Sequence, residues 1–112
     1  MPLVYKNARA AVGTTYATVY TCPTTTPATT AIVLAAQAAN VDGTASADIS
    51  AQWLDSSAAD VATRVVETLV VPPDAALNLL GGPLVLEAGD AFQVKASAAG
   101  DIELTLAISE IT

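Results

Sequence analysis

The sequence holds no histidine, one cysteine, four cationic side chains and five aromatics in 112 residues. Each shortage closes off a class of activity. Without histidine the chain lacks the usual general base near neutrality, the commonest metal ligand and every Ser–His or Cys–His pairing. Cys22 stands alone, which rules out an internal disulfide framework, and no base accompanies it; it reads as a small, half-buried thiol. Lys6, Arg9, Arg64 and Lys95 are too few and too scattered to follow a phosphate backbone, so nucleic acid is not an expected partner. Eleven carboxylates against these four cations leave a net charge of −7, which an anionic membrane surface would repel. The longest uninterrupted apolar run, Ala31 to Ala36, is far too short to span a bilayer. Met1-Pro2 is followed by Lys6 and Arg9 but by no apolar h-region, so no secretory signal is expected.

The acidic residues do not repair these losses. Asp55 and Asp60 flank one loop, Asp42 and Asp48 another, and Asp90 and Asp101 sit at separate turns. Paired carboxylates cleave glycosides, but such sites also use aromatics to hold sugar rings, and these are scarce. The stretch "NVDG" offers Asn40 and Asp42 to a hard cation such as calcium. It lacks the further acidic positions of a calcium loop, and an Asx turn accounts for the same residues. Gly81-Gly82-Pro83 is no phosphate loop, because no lysine follows and the next segment reads as a strand. The expectation is a protein without catalytic residues, cofactor or metal.

What the sequence does hold is strand pattern. Residues 14–21, "TTYATVYT", carry residue types that fit a pleated surface. At period two, Tyr16, Thr18 and Tyr20 share one face and Thr15, Ala17 and Val19 the other. Pro23 and Pro27 then break the ladder. "TAIVLAAQA" is apolar on both faces, which suits a central strand covered on each side. "ASADISAQWL" alternates, with Ala45, Ala47, Ile49, Ala51 and Trp53 against Ser46, Asp48, Ser50 and Gln52, as a half-buried strand does. "ATRVVETLVV" ends at Pro72-Pro73, and "AALNLL", "LVLEA", "AFQVKAS" and "IELTLAISEI" follow between Gly- and Asp-rich turns. In the last of these, Ile102, Leu104, Leu106 and Ile108 share a face against Glu103, Thr105 and Ser109. Turn signals every ~8–12 residues indicate an all-β chain. The expectation is an antiparallel β-sandwich, jelly-roll or Ig-like, of about eight strands. Residues 1–13 read as an N-terminal arm or a first strand, and residues 14–112 as the sandwich domain.

Two long stretches carry a resemblance. They are "VYTCPTTTPATTAIVLAAQAANVDGTASADISAQWLDSS" and "LLGGPLVLEAGDAFQVKASAAGDIELTLAISEI". Over residues 14–111 the chain resembles small β-rich virion structural proteins of tailed bacteriophages, of the capsid cement (decoration) or neck/tail type. The shared elements are a Thr/Tyr strand before a Pro/Thr turn, an apolar strand ending in Asn–Asp–Gly, and a late "LEAGD" turn. The resemblance implies a virion location after assembly in the host cytoplasm. It implies partners among the major capsid protein or other virion subunits, and a homo-oligomer, with a trimer as one option. It carries over no catalytic residue.

The charge pattern suggests where such a protein would attach. Lys6 and Arg9 are half of all cations and fall in the first nine residues, which would steer that end toward an acidic surface. Exposed ion pairs contribute little, so Leu3, Val4 and Tyr5 are expected to act as apolar anchors beside them. The chain has 24 alanines, each of which removes little area from water, and subunit contacts would supplement so thin a core. The leading expectation is a cement protein stabilising a head shell. The alternatives are a neck or tail subunit, or a carbohydrate-binding β-sandwich in which Trp53, Tyr16 and Tyr20 line a shallow face.

Overall fold

A computed structural model describes residues 3–112. Nine strands run in the order β1 (Leu3–Ala11), β2 (Ala17–Thr21), β3 (Thr30–Asn40), β4 (Ala47–Asp55), β5 (Val61–Val71), β6 (Ala76–Asn78), β7 (Leu84–Leu86), β8 (Ala91–Ala96) and β9 (Ile102–Ile111), with one 3₁₀ turn at Ser56–Ala58 between β4 and β5. All strand pairs are antiparallel. The all-β sandwich expected from the strand pattern is present; the ninth strand is β1, in the segment read as an N-terminal arm or a first strand. No helix among the described residues is long and apolar enough to cross a membrane.

The pairing identifies the topology. β1 pairs with β9, β2 with β8, β3 with β6 and β7, and β4 with β5. The chain is thus one long ribbon whose apex is the β4–β5 turn. Rolling that ribbon brings β9 against β3 and β8 against β4. The result is a sheet A of order β1-β9-β3-β6, with β7 also on β3, and a sheet B of order β2-β8-β4-β5. Two sheets made this way form a jelly roll.

Between the sheets lies a core of small and medium side chains. Ala31, Val33, Ala36 and Ala38 of β3 and Leu104, Leu106 and Ile108 of β9 face Ile49 and Ala51 of β4 and Phe92 and Val94 of β8, all fully or almost fully buried. Alternation explains most of this, and three departures have identifiable causes. First, β3 is central in sheet A but covered on its inner side only, so Ile32 is half-buried and Leu34 is 45% exposed. Second, the polar side of β4 is not solvated, since Ser50 and Gln52 are buried beneath neighbours on β5 and β8. Third, a bulge shifts the β2–β8 register between Thr18 and Tyr20. An extra residue resets the alternation. Thr18 stays outside opposite Gln93, and Tyr20 turns inward opposite Phe92.

The "LEAGD" turn is held by Asp90, which is 1% exposed. Its carboxylate accepts from the Glu87 amide at 2.9 Å, the Ser56 amide at 3.0 Å and the Ser56 hydroxyl at 3.1 Å. Gly89 has φ 87°, and a Cβ there would meet Ser56 Oγ at 2.8 Å. The turn therefore needs glycine both for its conformation and for this close approach. The motif ties the β7–β8 turn to the ribbon apex and has no chemistry left over.

Candidate interaction surface

The residues singled out for chemistry are engaged in structure. Cys22 is fully buried rather than half-buried, because the chain runs on from the end of β2 at Thr21 into the core. Its Sγ lies 3.4 Å from the Thr29 carbonyl, and burial pushes the thiol's pKa up, away from the thiolate a nucleophile requires. Asn40 donates to the carbonyls of Ala45 at 3.0 Å and Val71 at 2.9 Å, and its Oδ1 accepts from the Asp42 amide at 2.9 Å. Asp42 Oδ1 accepts from the Thr44 amide at 2.8 Å, the Thr44 hydroxyl at 2.9 Å and the Ala45 amide at 3.2 Å. Bonds from the Thr44 amide and hydroxyl hold the Asp42 carboxyl below the usual range. These oxygens serve an Asx turn. Among the described residues no group of three or more acidic, Cys or His side chains is placed to hold a metal.

Trp53, Tyr16 and Tyr20 do not form one face. Trp53 packs against the core opposite Phe92, and Tyr20 points inward as well. Tyr16 stays outside, its ring centre 5.2 Å from the Arg64 guanidinium and 4.9 Å from Lys95 Nζ.

The first strand presents two different faces. Paired residues of antiparallel strands share a face, so the register puts Val4, Lys6, Ala8 and Ala10 on the inner side with Glu110, Ile108, Leu106 and Leu104. Leu3, Tyr5, Asn7 and Arg9 lie outside with Ile111, Ser109, Ala107 and Thr105. Lys6 Nζ sits 3.0 Å from Glu110 Oε1, while the Tyr20 hydroxyl of sheet B donates to Glu110 Oε2. Burial on its own would raise the Glu110 carboxyl, but the Tyr20 bond and the Lys6 ammonium together hold it below its ordinary value. Burial, then the Glu110 carboxylate, push the Tyr20 hydroxyl far up, so it remains a donor. This three-residue clasp joins the two sheets at their open end. Sequence reading missed it because the β2 bulge, not the alternation, aims Tyr20 at Glu110. Arg9 makes no ion pair among the described residues and lines a shallow groove with Glu103 and Thr105.

Across sheet A the outer face divides in two. One half carries Leu3 (50% exposed), Tyr5 (72%), Leu34 and Val85 (53%), with half-buried Ile32 and Ile111 between them. The registers Leu3↔Ile111, Tyr5↔Ser109, Ile32↔Ser109 and Ile32↔Val85 make these neighbours across β1, β9, β3 and β7. The other half is polar, with Arg9, Thr105, Gln37 and Asn78 in adjacent register. The outer face of sheet B exposes Val70 opposite Asp48 at one end, but its middle is a polar ladder. Gln93 Nε2 donates to Thr18 Oγ1 at 3.0 Å, Gln52 Nε2 to Gln93 Oε1 at 2.7 Å, Arg64 Nη1 to Gln52 Oε1, and Arg64 Nε to Glu67 at 2.9 Å. That chain crosses all four strands.

No family model matches the chain, and no curated protein matches it in sequence. Solved structures match its fold. One is the capsid of the Helicobacter pylori bacteriophage KHP30, with TM-score 0.57 and 9% identity over 98% of this chain and 87% of that one. Another is the Bacillus endospore appendage, a disulfide-linked pilus, with TM-score 0.55 and 13% identity over 97% of this chain and 84% of that one. At these identities the likeness is one of fold: a jelly-roll sandwich spanning nearly the whole chain.

Proposed function

We propose that this chain is a structural protein of a bacteriophage virion, with no catalytic role, and that it serves as a decoration (cement) protein on the head shell. The observation that carries the reading is the uncovered apolar half of sheet A. Leu3, Tyr5, Leu34 and Val85 expose on the order of 400 Å² of largely apolar side chain, the size of the largest patch on a typical monomer (~300–600 Å²), which is often functional. A continuous apolar half-face with a polar half beside it is built to be covered by protein. The fold likeness to a phage capsid chain supports the virion setting, and the sequence resemblance to virion proteins points the same way.

In this reading Leu3 and Tyr5 are the apolar anchors of attachment, with Arg9 at the polar margin. Val4 and Lys6 lie on the inner side of β1, the Lys6 ammonium held by Glu110, and do not line this face. The major capsid protein is the proposed partner, and copies of the chain associate around it. A neck or tail subunit would use the same surface. The glycan-binding alternative lacks support, because Trp53 and Tyr20 face inward. A disulfide-linked pilus is a poor fit, since the only thiol of this chain is buried.

Mass spectrometry of density-purified particles from the phage encoding this chain tests the proposal. The expected result is recovery of the chain in many copies per head. Absence from particles, with a stable monomer in sedimentation, overturns it.

A further inference from the structure

A rolled ribbon has four free edges, and this chain blunts three of them. β6 and β7 are three residues each. β2 is five residues long and bulged. β5 is long, but its register shifts twice and Thr68 has φ 47°. Short strands and bulges are how sheets avoid pairing with other chains. β1 has neither device; it carries one other, the inward-pointing charge of Lys6, which Glu110 neutralises. It runs nine residues in unbroken register with β9, contains no proline, and exposes Leu3, Val4 and Tyr5.

The direction of its backbone groups follows from one bond. Val12 donates to the carbonyl of Ile102 at 2.9 Å, the residue that continues the β1–β9 register. Antiparallel pairs alternate between bonded and non-bonded, so Val4, Lys6, Ala8 and Ala10 exchange bonds with β9. The amides and carbonyls of Leu3, Tyr5, Asn7 and Arg9 point away from it, to the free edge. Val41 donating to Asp101 at 2.8 Å on the opposite side of β9 obeys the same alternation.

We propose that the free edge of β1 is a strand-addition site that takes an extended segment of a neighbouring virion protein, apolar where it lies along Leu3–Tyr5 and acidic where it meets Arg9. Main-chain bonds to an exposed edge give such binding its affinity, and side-chain pairing gives its specificity. Charge selects the occupant. β1 carries two cations and no carboxylate; Lys6 is already paired with Glu110, and Arg9, with no ion-pair partner among the described residues, is the charge left for an occupant. A second copy offers only another cationic β1, which repels, or the bulged β5, which cannot run in register. The identification of the neighbour as a virion protein rests on the function proposed above; the edge itself does not.

The peptide Glu-Thr-Thr-Thr-Val-Ile-Val is the probe, its carboxylate falling opposite Arg9 in antiparallel alignment. It should bind the full chain and slow hydrogen exchange at the Tyr5, Asn7 and Arg9 amides. Replacing its Glu by Lys should weaken binding about tenfold. Asn7→Pro removes an outward amide without touching a β9 bond, which an edge strand tolerates; it should abolish peptide binding with unchanged circular dichroism. Undiminished binding to Asn7→Pro, equal binding of the Lys peptide, or no exchange protection overturns the proposal. Particle retention separates the two readings. Wild type and Asn7→Pro retained alike would sink the edge and spare the virion role. Peptide binding by a chain absent from particles would do the reverse.

Discussion

On sheet B the outward side chains hydrogen-bond one another from strand to strand, Thr18 to Gln93 to Gln52 to Arg64 to Glu67. On the apolar half of sheet A the outward side chains are Leu3, Tyr5, Ile32, Val85 and Ile111, with no such chain between them. Both faces belong to one small sandwich with the same core, so the contrast does not arise from folding needs. Apart from the buried Tyr16 hydroxyl, which has no partner among the described residues, sheet B satisfies its own polar groups, and such a face is finished when the chain folds. A face that leaves apolar area in water is finished only when something covers it. The comparison assigns solvent to sheet B and assembly to sheet A.

The largest expected effect comes from reversing sheet A. Tyr5→Asp with Val85→Asp puts charge where a partner must exclude water, at two well-exposed positions. Particle attachment should fall about 30-fold or more, with circular dichroism and unfolding midpoint near wild type. Thr18→Asp on sheet B should leave attachment unchanged.

Next is the sheet B ladder. Gln52 is buried and serves both Gln93 and Arg64. Gln52→Leu leaves two polar groups short of a partner, and urea unfolding should show a loss of about 1–3 kcal/mol. Attachment of the folded fraction should not change. A loss of attachment without a loss of stability would break the comparison.

The clasp at the open end predicts a pH dependence. The folded Glu110 pKa lies below its ordinary 4.5, so the unfolded chain takes up the proton first. Its contribution to stability is fully present above that value and is lost as pH falls through the folded one. The Tyr20 hydroxyl is raised above its ordinary 10.0, so its contribution holds below that pH and declines as pH rises beyond it. Tyr20→Phe should reduce the acid loss and abolish the alkaline one, as read from unfolding midpoints across pH. The expected cost near neutrality is about 1–2 kcal/mol. Cys22→Ser should have the smallest effect on attachment, because Cys22 lies in the core and touches neither outer face; particle binding of the folded variant should match wild type, while the hydroxyl at a fully buried position should cost about 1–3 kcal/mol in urea unfolding.

Much of this molecule was legible in its residues. The turns at Asn40–Gly43, Pro72-Pro73, Gly89-Asp90 and Gly100-Asp101 bound the strands where they occur, since these residue types interrupt a ladder whatever surrounds them. The inner faces of β4 and β9 followed from alternation alone. What escaped was decided by pairing. The bulge opposite Phe92 depends on register with β8, and so does the position of Tyr20. The burial of Ser50 and Gln52 depends on side chains reaching over from β5 and β8. The doubly apolar pattern of β3 was read as a strand covered twice, yet one chain supplies only the inner cover. That mismatch between a strand's composition and its exposure is what points to a missing neighbour.

The most direct test of that neighbour is proximity mapping on assembled particles. A photo-reactive group at Val85 on sheet A should cross-link to another virion protein in good yield, and one at Thr18 on sheet B should give almost none. Equal yields from both positions, or cross-links from Thr18 alone, would contradict the assignment of sheet A as the covered face.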